Sequence, residues 1–222
     1  VITQSFNFIA TIEAIIDCGA IPIVCDVDKN LHLDLKNLRK KISNKTKAII
    51  IVHMLGMGGP IREIVSLGKE LNLPIIEDNC EAIGAKYKDN YLGTIADIGV
   101  MSFDHGKMIA CGEGGMILTN KKIYDEFAKQ YRDHGHENNP NLPRGKDKRI
   151  MPGFIYRMTE MQGVIGKVQL SKLGFMLEEN KKRYEILNRL IGGIFNVRTQ
   201  LNEQSGSYDT FIFSLNNYQS RD

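Results

Sequence analysis

The residues of this chain best suited to chemistry lie between Asp97 and Thr119. An apolar run ends at Ser102, Lys107 follows five residues later, and Gly112-Glu-Gly-Gly115 leads into a second apolar run. A lysine held between two strand-like segments, beside glycines that let other groups approach the backbone, presents an amine to a carbonyl for Schiff-base chemistry. Taken singly, the parts have plainer readings. Lysines are mostly exposed, Asp78 suits a strand end or a helix cap, Ser102 suits a strand end, and Phe8 suits a core. Gly112 to Gly115 can be a simple turn. The flanking Ser102 and the glycines favour a reactive Lys107.

Other chemistries find less support. His105, His134 and His136, with Asp104, Asp133 and Glu137 nearby, suggest a metal, but no third ligand falls at a zinc-type spacing, and His134-Gly-His136 reads as a solvated pair; no metal site is assigned. Gly56-Met-Gly-Gly-Pro60 lacks the order of a nucleotide loop and reads as a backbone turn. Arg132, Arg144 and Arg157 offer planar forks for an acidic substrate, though any one of them alone reads as surface charge.

The elements that must position these groups follow from hydrophobic periodicity. Apolar side chains at Ile9, Ile12, Ile15 and Ile16 predict a helix, with Thr11 as cap and Gly19 as stop. Strands are expected at 21–25, 47–53 and 73–78, with helices at 34–42, 61–71 and 121–132. This alternation indicates a largely parallel α/β sheet, whose ligands gather at the carboxyl ends of the strands. Residues 134–151 read as a long polar loop: a lid, a subunit contact or a disordered stretch. Helix resumes from Thr159 to about Ile194 with a break near Gly174, and Tyr208 to Leu215 alternates as a strand does.

With 222 residues and 42% apolar content, a sizeable core is affordable. Twenty-nine basic against 26 acidic residues leave +3, without a block of like charge, which argues against nucleic acid. No apolar run approaches a bilayer span, so a soluble cytoplasmic protein without a membrane partner is expected. Cys18, Cys25, Cys80 and Cys111 have no paired spacing and read as reduced, mostly buried thiols. A start at Val1 and an end after a strand-like segment suggest a fragment of a longer protein.

Four motifs carry a resemblance that spans most of the chain. Ile76-Glu-Asp78-Asn-Cys-Glu81-Ala-Ile-Gly-Ala85, Ser102-Phe-x-x-x-Lys107, Gly112-Glu-Gly-Gly115 and Tyr156-Arg-Met-Thr-Glu-Met-Gln162, together with Ser5-Phe-Asn-Phe8-Ile-Ala-Thr11, resemble the DegT-type family of sugar aminotransferases. The resemblance implies the α/β, aspartate aminotransferase-like fold (fold type I) and pyridoxal 5'-phosphate as cofactor. It implies a cofactor-binding large domain over 1–173 lacking its N-terminal part, a connecting helix over 174–195, and over 196–222 the start of a small α+β C-terminal domain. Lys107 would bond the cofactor and shuttle a proton, Asp78 would pair with its pyridinium nitrogen, Ser102 would bind its phosphate and Phe8 would stack on its ring. Glu81 would lie near the phenolic oxygen, where many members carry Gln or His and where a carboxylate repels unless one partner holds a proton. Arg157 and His134 are the expected substrate contacts. The chain departs again at Ile155, where the family has a phosphate-binding Asn, and it lacks the family's upstream Gly-Thr turn.

The expected function is amino transfer from glutamate or glutamine to a nucleotide-linked keto sugar or keto sugar acid, for cell-surface polysaccharide, lipopolysaccharide or antibiotic sugars, by a homodimer with shared sites. The family's dehydratase branch carries histidine in place of Lys107. A non-catalytic homologue that keeps the fold is the alternative expectation, with a metal hydrolase as a third.

Overall fold

The computed structural model describes residues 1–143 and 145–215. Its elements run β1 (Ile2–Gln4), α1 (Ile9–Asp17), β2 (Ile23–Cys25), α2 (Leu35–Lys41), β3 (Ile49–Val52), α3 (Ile61–Leu71), β4 (Ile75–Asp78), β5 (Lys86–Tyr87), β6 (Asn90–Tyr91), β7 (Ile98–Ser102), β8 (Gly115–Leu118), α4 (Lys122–Tyr131), α5 (Glu160–Leu170), α6 (Leu173–Ile191), β9 (Asn196–Val197), β10 (Gln204–Ser205) and β11 (Phe213–Ser214). The central sheet has the order β2-β1-β3-β4-β7-β8. Its strands are parallel as far as β7, and β8 returns antiparallel.

Local chemistry explains the element ends. Asp34 caps α2 by accepting from the amides of Lys36 and Asn37. Thr159 and Gln162 close a reciprocal capping box on α5. Asn72 takes the left-handed conformation that stops α3. The unbroken apolar run Ile49–Val52 and the segment Ile75–Asp78 form central strands, and α3 lays Ile61, Ile64 and Leu67 over Ile49, Ile51 and Ile75, all at most 2% exposed. Each such side chain contributes about 1.5–3 kcal/mol relative to an exposed one.

Beneath the carboxyl ends of β3 and β4 sits a fully buried polar node. His53 Nε2 lies 3.0 Å from Glu77 Oε2, both side chains at 0% exposure. The Gly59 amide donates to His53 Nδ1, so the ring proton sits on Nε2 and points at the carboxylate. Glu77 also accepts from the amides of Gly93, Ile95 and Ala96. Burial alone pushes its carboxyl up; the His53 contact and the amides outweigh this and leave it below its ordinary value.

Several expectations need correction. Thr11 does not cap α1, whose N-cap is Phe8 without a side-chain bond. The expected helix break near Gly174 is present, at Ser171 and Lys172 between α5 and α6. The strand expected over 208–215 contracts to β11, since Tyr208 adopts φ +57°, incompatible with an extended chain there. Cys18 is exposed, Cys80 half-buried, and only Cys25 and Cys111 are buried; all four are free. His136 is not a solvated residue: it is 5% exposed, and its Nδ1 lies 2.7 Å from Asp147 Oδ1. Arg144 lies outside the described residues, as do 216–222 of the expected C-terminal segment. No helix among the described residues is long and apolar enough to cross a membrane.

Candidate active site

The parallel strands bring their following segments to one edge. In the strand order β1 and β3 are neighbours, and the chain leaves β1 toward β2 on one side and β3 toward β4 on the other, so the crevice such a reversal opens lies at the carboxyl ends of these two strands. Phe8 follows β1, Leu55 follows β3, Asp78 ends β4, with Glu81 three residues on, and Ser102 ends β7. Asp78 pairs in register with Val100, two residues before Ser102.

Lys107 stands in this crevice. Its Nζ lies 3.4 Å from Glu81 Oε1 and 5.9 Å from the centroid of the Phe8 ring. The Lys107 and Glu81 side chains are 22% and 17% exposed, enough for a small molecule to reach the amine and too little for a freely solvated pair. The other Glu81 oxygen, Oε2, accepts the Leu55 amide at 3.0 Å. That amide is aimed by a short 3-10 turn, Met54–Gly56, in which Leu55 has φ +53° and Gly56 φ +78°. The glycine at 56 relieves one of these two left-handed positions.

Asp78 is held from two sides. Its Oδ2 accepts from the Thr11 hydroxyl at 2.7 Å, and its Oδ1 from the Cys80 amide at 3.2 Å. Each oxygen keeps capacity for a further donor. Burial, then the charge of Asp78, pushes the neighbouring Cys80 thiol far up, so it stays protonated. Phe8 is 58% exposed, so its ring is a free face and not a core residue. Ser102 Oγ accepts the Asp104 amide at 3.3 Å. Asp104, His105 and Glu113 bring ligand-type atoms within 4.8 Å of one another on the rim, where Asp104 is half-buried and the other two are exposed.

Arg157 and His134 belong to different surroundings. Arg157 Nη1 pairs with Asp133 Oδ1 at 3.1 Å, and the His134 amide donates to Phe154. Among the described residues no hydrogen bond or ion pair joins either of them to Lys107, Glu81 or Asp78. Ile155, 57% exposed, bridges in antiparallel fashion to Asp133 in the same region.

Sequence reasoning missed three contributors: the Thr11 hydroxyl, the Leu55 amide, and the chain after α6, which returns to this edge. Ser207 donates its amide to Gly56 O at 2.9 Å and its hydroxyl to Asp209 Oδ1 at 3.0 Å. Asp209 is exposed, and its carboxyl is raised from its ordinary value by desolvation, against Ser207, with Glu81 pushing further up and Lys107 pulling down. Nothing in the sequence places a residue more than a hundred positions from Lys107 beside it.

Comparison with known proteins gives a consistent picture. The DegT/DnrJ/EryC1/StrS aminotransferase family model matches residues 1–222. The GDP-perosamine synthase of Escherichia coli O157:H7 is 34% identical over 217 residues, covering 94% of this chain and 56% of that protein. AtS13 from Actinomadura melliaura has a TM-score of 0.90 at 25% identity, over 99% of this chain and 62% of that one. Helicobacter pylori PseC, an aminotransferase involved in pseudoaminic acid biosynthesis, has a TM-score of 0.88 at 25% identity, over 95% and 56%. The chain thus spans about half the length of the curated relatives it matches.

Proposed function

Because the chain belongs to the DegT/DnrJ/EryC1/StrS aminotransferase family, we propose that it is the lysine-bearing part of a pyridoxal 5'-phosphate-dependent enzyme that moves an amino group from glutamate or glutamine to a keto sugar. The sugar is nucleotide-linked or a keto sugar acid, destined for cell-surface polysaccharide or lipopolysaccharide. The protein works in the cytoplasm as a homodimer with shared sites. The observation that carries this reading is the half-buried Lys107 amine, paired with Glu81 in front of the open face of Phe8, with Asp78 fixed at the end of β4.

These residues fit the cofactor by their donor set. Asp78 has unused acceptor capacity for a protonated ring nitrogen, and Thr11 and the Cys80 amide keep its carboxylate oriented. Phe8 offers a ring face, and the Ser102 hydroxyl can donate to a phosphate oxygen. When bound, pyridoxal phosphate supplies a carbonyl for the amine and a ring that accepts electrons. The protein's own part is proton handling and placement. Lys107 takes the proton from the donor's α-carbon and returns one to the sugar carbon that gains the amine. Glu81 holds that amine in the crevice, and Asp78 keeps the ring nitrogen charged.

Lys107 stands where the family's dehydratases have histidine, which favours transfer over dehydration. A non-catalytic homologue is the second reading, favoured by Ile155 in place of a phosphate-binding Asn. Incubating the full-length protein with pyridoxal phosphate, then borohydride, separates the two. The transferase gives a reduced adduct on the Lys107 peptide and transaminates; a wild-type protein that never acquires the adduct is the non-catalytic homologue, and an adduct that persists in Lys107→Ala removes the assignment of this lysine.

A further inference from the structure

Buried cations are normally met by a carboxylate, and Arg198 is an exception. It is 5% exposed, and among the described residues its guanidinium hydrogen-bonds only main-chain carbonyls: Nη1 donates to Met54 O at 2.7 Å and Nε to Asn30 O at 2.8 Å. Its Cζ lies 5.7 Å from the centroid of the Phe6 ring. Burial brings the group down to about 10, which still leaves it charged at neutral pH. The chain that carries it is fastened to the same edge, since Gln204 Nε2 donates to Gly59 O at 2.8 Å and the Ser207 amide to Gly56 O at 2.9 Å. The carbonyl that Arg198 holds belongs to the peptide between Met54 and Leu55. The N–H of that same peptide donates to Glu81 Oε2 at 3.0 Å, and Glu81 Oε1 lies 3.4 Å from Lys107 Nζ. In a trans peptide the C=O and N–H point in opposite directions, so guanidinium and carboxylate sit at the two ends of one planar unit. Leu55 has φ +53° and ψ 45°, a left-handed conformation that a leucine keeps only when its surroundings hold it there.

Resting on the aminotransferase reading of this site, we propose that Arg198 is a positioning residue for Lys107, acting through the Met54–Leu55 peptide and Glu81. A cation at the carbonyl draws electron density from the amide nitrogen and makes the Leu55 N–H a stronger donor to the carboxylate. Guanidinium, peptide, carboxylate and amine form one series, in which each hydrogen bond polarises the next. The same contact has a steric part. It keeps the turn at Leu55 in the conformation that aims its amide at Glu81, so the carboxylate is fixed in orientation and the amine with it. Asn30 O holds the Nε edge of the planar fork, which stops the guanidinium from swinging away from Met54. Arg198 makes and breaks no bond; its part is placement.

The test uses the full-length protein without bound cofactor and reads the reactivity of the amine itself. Trace acetylation of Lys107 by acetic anhydride at neutral pH is followed by mass spectrometry in wild type, Arg198→Gln, Glu81→Gln and the double variant. An amine released from its carboxylate reacts faster, so each single variant should raise the rate at Lys107 by about threefold or more. The double variant should match Glu81→Gln alone to within about 1.5-fold, because the arginine reaches the amine only through that carboxylate. Effects that multiply, or an Arg198→Gln rate equal to that of wild type, overturn the proposal. If melting curves show that Arg198→Gln does not fold, Arg198→Lys takes its place, since it keeps a buried cation but not the fork. It should raise the rate about twofold on its own and leave it unchanged in the Glu81→Gln background. Equal changes in the two backgrounds, or none in either, overturn the proposal here too. Attachment of pyridoxal phosphate is measured in parallel: its absence from wild type counts against the aminotransferase reading, while the acetylation series still decides the coupling of Arg198 to the amine.

Discussion

Glu81 is bound at both oxygens, by the Lys107 amine at 3.4 Å and by the Leu55 amide at 3.0 Å. The main chain therefore fixes the carboxylate, and the carboxylate in turn fixes the amine. An amine held by a hydrogen bond to a carboxylate must leave that contact before it can attack a carbonyl. Glu81→Gln should keep an amide oxygen for Leu55 and release the amine from its counter-charge. The expected outcome is faster adduct formation with pyridoxal phosphate at neutral pH, several-fold by stopped-flow absorbance, together with looser placement of the amine and a lower kcat. A slower attachment would mean that the carboxylate acts as base toward the amine.

The Thr11 hydroxyl and Asp78 make the second relationship that sets the site, at 2.7 Å. A hydrogen bond to a charged acceptor contributes about 1.5–3 kcal/mol. Thr11→Val keeps the shape of the side chain and removes this donor. If Asp78 must be oriented toward a ring nitrogen, kcat should fall about tenfold to a hundredfold, with little change in melting temperature or in labelling of Lys107. Thr11→Ser should restore most of the rate. Equal rates in wild type and Thr11→Val would show that the Cys80 amide is sufficient to orient the carboxylate.

The difference between what was legible and what was not follows the range of the forces involved. Strand 49–52 was readable from its unbroken β-branched run, strand 75–78 from an apolar pair closing on two acids, and helix 61–71 from its 3.6-residue periodicity, all local signals. The edge that gathers Phe8, Asp78, Glu81, Ser102 and Lys107 followed from parallel order. Thr11 misled because a threonine near a helix start suits a cap equally well, and only the packing of α1 against β4 sends its hydroxyl to Asp78. The expected strand from Tyr208 failed because the segment is shaped by docking on Gly56, a contact across 150 positions of sequence. Asp209 and Leu55 carried no local pattern at all.

The His53–Glu77 node makes a prediction about stability. Both groups are fully buried, and the node is a hydrogen-bonded carboxylate; leaving buried donors without their acceptor costs about 1–3 kcal/mol. Glu77→Gln keeps the volume but turns an amide group toward the Gly93, Ile95 and Ala96 donors, so a loss at the upper end, about 3 kcal/mol, is expected by denaturant unfolding at pH 7. The pH dependence has a definite sign. The folded carboxyl lies below its ordinary 4.5, so its stabilising share is complete above that value and is lost as pH falls below it toward the folded value. Wild type and Glu77→Gln should converge in stability as pH drops below about 4.5. A gap that persists in acid would indicate that the loss comes from packing.

The loop from His134 to Met151 is held by an acid of its own, and this decides whether it can act as a freely moving lid. Asp147 accepts His136 Nδ1 at 2.7 Å and the amides of Asn138 and Gly145, and the two side chains are 5% and 6% exposed. Burial pushes the Asp147 carboxyl up, but the His136 bond and the amides outweigh it and hold it low. With the bridge between His136 and Arg149, these bonds close the loop on itself. Asp147→Asn should break the contact on His136 and loosen the loop without touching the lysine crevice. Amide exchange between residues 134 and 150 should accelerate at least tenfold, limited proteolysis should cut first there, and Lys107 should still be labelled. If closure of this loop contributes to sugar binding, KM for the keto sugar should rise while labelling is unchanged. Exchange that stays slow in Asp147→Asn would instead assign the ordering of the loop to the Asp133–Arg157 pair and the backbone bonds beside it.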